Sequence, residues 1–314
     1  MKIYSFIDEF SSLLPCVFTL GFFDGVHRGH QKLIQNLIYQ AKKEGKYSSV
    51  VLTFKPHPKE ILNPDNRFLY LNTFSERIYH LQKTGIEHLI IHPFTIGFSR
   101  LSTKYFMKNI LCSKLKVKKI ITGYDSHFGR NRDGSSHLLK KYSHIYGYKL
   151  YQVHPYKLKR RIISSTSIRQ SLLKGNIRWA NEALGYFYTL SGYVIKGKGL
   201  GRLLKFPTAN IQVDKKKLIP KKGVYAVKIN LYKKIYQGMM NIGICPTINK
   251  ISHEIKIEVH IFNFHQNIYG EKIDVLIAQL IREEKKFKTH HDLINQINKD
   301  RIKIKNFFQK NGSV

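Results

Sequence analysis

The feature that most constrains this chain is that its local pattern changes once. Up to about residue 185, short apolar runs alternate with amphipathic ones. "CVFTLGFF" reads as a strand, and "HQKLIQNLIYQAKKEG" as a helix with a stripe of Leu33, Ile34, Leu37, Ile38 and Ala41, closed by Gly45. "SSVVLTF", "HLIIHPF" and "VKKIITGYD" are further strands, separated by the helical stretches "SERIYHLQKTGI" and "STKYFMKNILCSKL". "SSTSIRQSLLKGNIRWANEALG" reads as two short helices broken at Gly175. Short apolar strands alternating with helices argue for a parallel sheet covered on both faces. From about residue 186, helical spacing gives way to strand-like segments parted by Gly, Pro and Asn: "YTLSGYVIKG", "GVYAVKINLYKK", "IYQGMMNIG", "KIEVHIFNF" and "EKIDVLIAQLI". That is the pattern of a small closed β-barrel. A polar, Lys-rich helix over roughly 289 to 310 ends the chain. The expected fold is therefore α/β followed by β, with one domain over 1–184 and a second over 185–314.

With 314 residues, each domain can bury its own core. No window has the apolar length of a membrane span. "MKIYSFIDEF" carries two acids and lacks the apolar stretch of a secretory signal. Cys16, Cys112 and Cys245 are far apart and odd in number, which suits neither a disulfide framework nor a zinc site and points to a reducing cytoplasm. The net charge of +34 invites a polyanion-binding reading. The charge is scattered, however, and Lys far outnumbers Arg, as AT-rich codon usage would produce. Dedicated nucleic-acid binders cluster charge and favour Arg.

The stretch "GFFDGVHRGH" at 21–30 lies between the first strand and the first helix. In an open parallel sheet, ligands bind beyond the carboxyl ends of the strands. Gly21, Gly25 and Gly29 let backbone approach a ligand. The free N–H groups and dipole of the following helix favour an anion. His27 and His30, three residues apart, can donate to one phosphate group. The loop is neither a Walker loop nor a dinucleotide fingerprint, and a nucleotide triphosphate is the simplest occupant.

This signature resembles that of class I-type nucleotidyltransferases. The chain as a whole is similar to the bacterial bifunctional riboflavin kinases/FAD synthetases, through "TFKPHP", "GYDSHFGRNRDG", "ISSTSIR", "GKGLGRLLKFPTANI", "KKGVYAV", "NIGICPTI", "IEVHIFNF" with "IYGEKIDV", and "IREEKKF". The resemblance implies a Rossmann-like nucleotidyltransferase domain and a flavokinase-like barrel. Riboflavin would be phosphorylated to FMN, and FMN adenylylated to FAD with release of pyrophosphate. ATP and Mg²⁺ would serve both steps, with FMN and FAD as product ligands. Phe23 and Asp24 would join the glycines in the phosphate loop. Ser164, Ser165, Thr166 and Arg169 would hold the leaving pyrophosphate, although three hydroxyls at a helix start also read as an N-cap. Adenylylation would proceed by positioning and charge neutralisation, because the FMN phosphate is already an anion. His57, Pro58, Asp125 and Phe128 would touch flavin or nucleotide, with a rigid turn the alternative at His57. In the barrel, Gly197, Gly201 and Arg202 would bind phosphate, and Thr208 and Asn210 are hard oxygen ligands suited to Mg²⁺. Strand alternation puts Glu258, His260 and Phe262 on one face. Glu258, otherwise a solvated acid, becomes by resemblance the base for the riboflavin hydroxyl, and Arg282 and Phe287 would lie around flavin or nucleotide.

The chain departs from the pattern at Phe22, Ser126, His127, Lys205 and Asn263. Lys205 stands where Gly is usual, and a positive φ there would strain the backbone. Two rivals remain: an FMN adenylyltransferase whose barrel only binds flavin, and a basic nucleic-acid-binding protein on a nucleotidyltransferase-like fold. The expected partners are riboflavin, FMN and ATP, without a specific nucleic acid or a membrane. The sequence does not fix the oligomeric state.

Overall fold

A computed structural model describes residues 1–63, 65, 68–124, 136–197, 199, 201, 204, 206–244 and 255–311. The chain divides into two compact units, Met1–Ser165 and Thr166–Val314.

The first unit is built on six parallel strands: β1 (Lys2–Tyr4), β2 (Cys16–Leu20), β3 (Ser48–Lys55), β4 (His88–Pro93), β5 (Val117–Gly123) and β6 (Lys149–Val153). Their order is β1-β4-β3-β2-β5-β6. Every strand pair is parallel. Both faces are buried, because successive side chains enter opposite layers. Cys16 and Phe18 join one apolar layer with Val50, Leu52 and Met107, while Val17 joins the other with Ile34, Leu37 and Val51. β1, β6 and the helix Ser136–Tyr146 were not apparent in the sequence. The stretch read as one helix at 102–115 is a short α-turn, Thr103–Tyr105, that continues as π-helix over Phe106–Lys114. The first long helix, Arg28–Lys42, stops before Gly45: Lys43 is its C-cap, and Gly45 makes a left-handed turn beyond it. Gly175, at φ 80°, does separate the helices Ser165–Leu173 and Ile177–Leu184.

Two short strands, β7 (Lys157–Leu158) and β8 (Arg161–Ile162), pair with each other after β6. The second unit is a closed six-stranded barrel of β9 (Tyr188–Ile195), β10 (Ala209–Val213), β11 (Gly223–Leu231), β12 (Lys234–Ile244), β13 (Ile255–Ile261) and β14 (Lys272–Glu283). Their order is β10-β13-β12-β11-β14-β9. The Asn181 amide donates to the carbonyl of Ile277 and accepts from the N–H of Tyr188, tying helix Ile177–Leu184 to the barrel. The C-terminal helix, His290–Lys310, packs Ile304 and Phe308 onto Val224, Ala226, Met239 and Phe262. Among the described residues, no helix is long and apolar enough to cross a membrane.

Candidate active sites

The strand order reverses at β2, which has β3 on one side and β5 on the other. Such switch points are where parallel sheets open a crevice. Residues 21–27 leave β2 there and enter helix Arg28–Lys42. His27 is the N-cap of that helix, its Nδ1 accepting from the backbone N–H of His30 at 3.3 Å. The two imidazoles stack at 3.6 Å with an interplanar angle of 19°. With Nδ1 used as acceptor, the N–H that His27 offers is Nε2. Burial, and secondarily the neighbouring His27, hold the His30 pKa well below the ordinary 6.5. A neutral imidazole offers an N–H rather than a charge. The His30 Nδ1 is buried and has no hydrogen-bond partner among the described residues.

At two of the loop's glycines the missing side chain also matters within the loop. A Cβ on Gly21 would stand 2.8 Å from the Phe23 ring, and one on Gly29 would stand 3.2 Å from the His27 ring. They make room for the loop's own rings. Gly25 is left-handed (φ 81°), and so are Phe23 (57°) and Val26 (33°), both buried. Each of these two residues costs about 1 kcal/mol in that region, so the surrounding contacts must over-determine the loop. Asp24 is part of that restraint. Its buried carboxylate accepts from the N–H groups of Leu71 (3.0 and 3.1 Å) and Asn72 (3.2 Å). Arg77, also buried, feels the Asp24 charge and donates to the carbonyls of Phe22 and Phe54, both at 3.1 Å. Burial lowers the Arg77 pKa to about 10. Asp24 therefore anchors the loop through its side chain, while its carbonyl accepts from the Ser165 hydroxyl at 2.9 Å. Ser165 begins helix Ser165–Leu173, with Ser164 just before it; Thr166 and Arg169 continue that helix in the second unit.

His57 is the N-cap of the short helix Pro58–Leu62, accepting from the N–H of Lys59 at 2.9 Å. Its ring lies 3.9 Å from Phe22 and 4.1 Å from Phe68, and the Arg77 guanidinium stands 4.0 Å over Phe22. Phe22 is thus engaged by His57 and Arg77. Asp125, Ser126, His127 and Phe128 lie outside the described residues.

The second constellation is on the barrel. β13 alternates as expected: Ile257, Val259 and Ile261 are buried, while Glu258 and His260 are half-buried on the other face. In register, Glu258 lies opposite Asn210 of β10 and opposite Asn241 of β12. Phe262 follows on that face but is buried with residues of the C-terminal helix. His260 Nδ1 is 2.8 Å from the carbonyl of Pro207, which fixes the turn just before Thr208. The glycine segment closes onto these side chains. A Cβ on Gly197 would stand 2.0 Å from Asn210 Nδ2, and one on Gly201 would stand 2.4 Å from the Phe206 carbonyl and 2.8 Å from Thr208 Oγ1. Beside Thr208 a cavity of about 400 Å³ is lined by Val194, Pro207, Ala209, Phe264 and Tyr269, among others. Arg202 and Lys205 lie outside the described residues.

Arg282 donates through Nε to the wholly buried carboxylate of Asp300 at 2.8 Å, which locks β14 to the C-terminal helix. Phe287 stands 5.7 Å from the same guanidinium. One neighbour of Glu258 escaped the sequence reading: Asn241 is its cross-strand partner. On the same strand as Asn241, a Cβ on Gly243 would stand 2.6 Å from the Glu284 carboxylate and 3.3 Å from Asn241 Nδ2. A polar Asn inside the apolar "MMNIGI" was the available signal.

Comparison with known proteins divides the chain in the same way as the two constellations. A family model described as FAD synthetase matches residues 10–167, and one described as riboflavin kinase matches residues 184–308. A bifunctional riboflavin kinase/FMN adenylyltransferase from Buchnera aphidicola subsp. Schizaphis graminum is 41% identical over 293 residues, covering 92% of this chain and 93% of its own length. That of Escherichia coli K12 is 34% identical over 294 residues, with 93% of each covered. A crystal structure described as a macrolide-efflux protein from Streptococcus pneumoniae matches with a TM-score of 0.88 and 30% identity, covering 97% of this chain and 98% of that one.

Proposed function

The chain belongs to the bifunctional riboflavin kinase/FMN adenylyltransferase family, and from that premise we propose how its residues divide the two transfers. It phosphorylates riboflavin with ATP and adenylylates FMN with ATP. In our reading, domain 185–314 carries the first step and domain 1–184 the second.

In the kinase step, the Glu258 carboxylate accepts the proton of the riboflavin 5′-hydroxyl as its oxygen attacks the γ-phosphorus and ADP leaves. The observation that carries this assignment is the register Asn210–Glu258–Asn241 beneath Gly197 and Gly201. Glu258 is thus flanked by two amides, and the backbone of Gly197 and Gly201 packs directly on Asn210 and Thr208. The Thr208 hydroxyl and the Asn210 amide oxygen are hard donors that would hold Mg²⁺. The ion would offset charge on the transferring phosphoryl group. The neighbouring apolar cavity is large enough for the nucleoside of ATP.

In the adenylyl step, an FMN phosphate oxygen attacks the α-phosphorus of ATP and the bond to pyrophosphate breaks. No base is required. His27 and His30 donate N–H to the triphosphate, aided by the start of helix Arg28–Lys42. The Ser164, Ser165 and Thr166 hydroxyls and Arg169 take up pyrophosphate. His57, Pro58 and the aromatic group around Phe22 contact the flat part of a substrate. Free thiols at Cys16 and Cys112 support a cytoplasmic setting.

The test is a time course with purified protein, riboflavin and MgATP, repeated with His30→Ala. FMN should precede FAD in the native protein, and FMN alone should accumulate in the variant. FAD formation at the native rate by His30→Ala would remove the imidazole from the assigned role.

A further inference from the structure

The C-terminal helix, His290–Lys310, carries an acid and a base side by side and gives them different tasks. Asp300 is wholly buried, and its carboxylate accepts from Arg282 Nε at 2.8 Å and from Gln296 Nε2 at 2.9 Å. That acid is occupied in holding the helix to β14. Arg301, the next residue, is half-buried, and its guanidinium stands 5.7 Å over the ring of Phe206. Among the described residues, Arg301 has no carboxylate within ion-pair distance. A guanidinium over an aromatic face keeps its fork of N–H donors for an anion.

Three observations place this cation on the Glu258 face of β13. The Phe206 ring meets His260 edge-on at 5.7 Å, and His260 follows Glu258 on that face, about 7 Å along the strand. Helical spacing puts Ile297, Arg301, Ile304 and Phe308 on one side of the C-terminal helix, and the three apolar members pack with Phe262, the next residue of the same face. The Arg301 charge also reaches His260: burial lowers that pKa, the bond to Pro207 opposes the shift, and Arg301 lowers it further. Phe206 leads into Thr208, and the pairing of Ala209 with Val259 brings Thr208 beside His260. The opposite face of β13, through Val259 and Ile261, lines the cavity assigned to the nucleoside. Arg301 is therefore on the side of the carboxylate and the acceptor, not on the side of the nucleoside.

We propose that Arg301 is a product-phosphate contact of the kinase step: its guanidinium holds the 5′-phosphate once that group has passed to riboflavin, and so sets how tightly FMN stays on the barrel. This rests on the assignment of the Glu258 face to phosphoryl transfer. Riboflavin itself has no phosphate, so the contact discriminates product from substrate.

The test is Arg301→Gln in the full chain, which keeps a good helix former at the position. The kinase step is followed with riboflavin and MgATP by release of ADP, which the adenylyl step does not produce. Added FMN should inhibit the native protein in competition with riboflavin. In the variant its inhibition constant should rise roughly tenfold, with KM for riboflavin little changed. Arg301→Lys, which keeps the charge without the fork, should fall between the two. KM for FMN in the FMN-to-FAD step should not move in either variant. An unchanged FMN inhibition constant in Arg301→Gln would overturn the proposal. So would an equal rise in KM for riboflavin, which marks a site that has lost its shape, or a rise confined to KM for ATP, which puts the guanidinium on the nucleotide. Glu258→Ala, assayed alongside, separates the two levels of argument. Lost ADP release there with a normal FMN constant in Arg301→Gln defeats the Arg301 contact alone. Native ADP release there defeats the site on which the contact depends.

Discussion

In the proposed assignment the two units meet the same need, a site for a nucleotide's phosphates, with opposite uses of glycine. In the first, Gly21 and Gly29 leave room for the rings of Phe23 and His27, and the proposed anion site is a helix tip flanked by stacked imidazoles. In the second, Gly197 and Gly201 leave room for Asn210, Thr208 and the backbone of Phe206 beside a strand-borne carboxylate. The parallel sheet supplies donors from a helix terminus, whose N–H groups are unsatisfied by construction. Beside Glu258 the barrel presents side chains on neighbouring strands, Asn210 and Asn241. The same glycine-rich appearance in sequence thus encodes an intramolecular fit in one unit and a cover over polar side chains in the other.

The strongest way to break this contrast is Glu258→Ala. It should lower FMN formation by about 10²- to 10⁴-fold and leave conversion of supplied FMN to FAD intact. Equal loss of both steps, in a steady-state assay of each, would show that the sites are not separate. Next comes a matched glycine pair. Gly201→Ala drives a Cβ to 2.4 Å from a carbonyl that cannot move cheaply, and FMN formation should drop on the order of tenfold or more. Gly29→Ala meets only the His27 ring, at 3.2 Å, within a helix where Ala is preferred by about 1 kcal/mol. That variant should melt no lower than the native protein while FAD formation falls, because the imidazole has shifted.

Asp24→Asn sharpens the comparison at the level of stability. It removes the charge that buried Arg77 faces and weakens the hold on Leu71 and Asn72. Denaturant unfolding should show about 2 kcal/mol lost from the first unit and none from the barrel. The smallest expected effect is with pH. Burial lowers the pKa of His30, His88 and His92 in the first unit. The unfolded chain therefore takes up protons that the folded unit resists, and the penalty is absent above about pH 6.5 and grows as pH falls below it. Calorimetry should find the first unit's transition falling by a few degrees between pH 7 and 5.5. In the barrel, burial likewise lowers the His260 pKa, offset only in part by its bond to Pro207.

Much of this was legible in the sequence because it is local. Apolar runs, the helical stripe of Leu33 to Ala41, and alternation about Glu258 are all set by neighbours within a few residues. Strands β1, β6 and β10 were not, since each is short and acquires its identity from partners far along the chain, as Asn210 does from Glu258. Asp24 was read as part of a phosphate loop because a sequence cannot show that its carboxylate faces the N–H groups of Leu71 and Asn72, 47 and 48 positions away. The identity of the two histidines was visible, but their stacking and the lowered pKa of His30 depend on packing. The pairing of Asn241 with Glu258 required the register of the closed barrel.

The central claim is that phosphoryl transfer and adenylyl transfer use separate sets of side chains. Its most direct test is product analysis of the protein carrying His27→Ala with His30→Ala, given riboflavin and MgATP. The account predicts FMN at the native rate with no further conversion, a loss of about three orders of magnitude in FAD formation. FAD appearing at the native rate, or FMN formation failing together with it, would contradict the account.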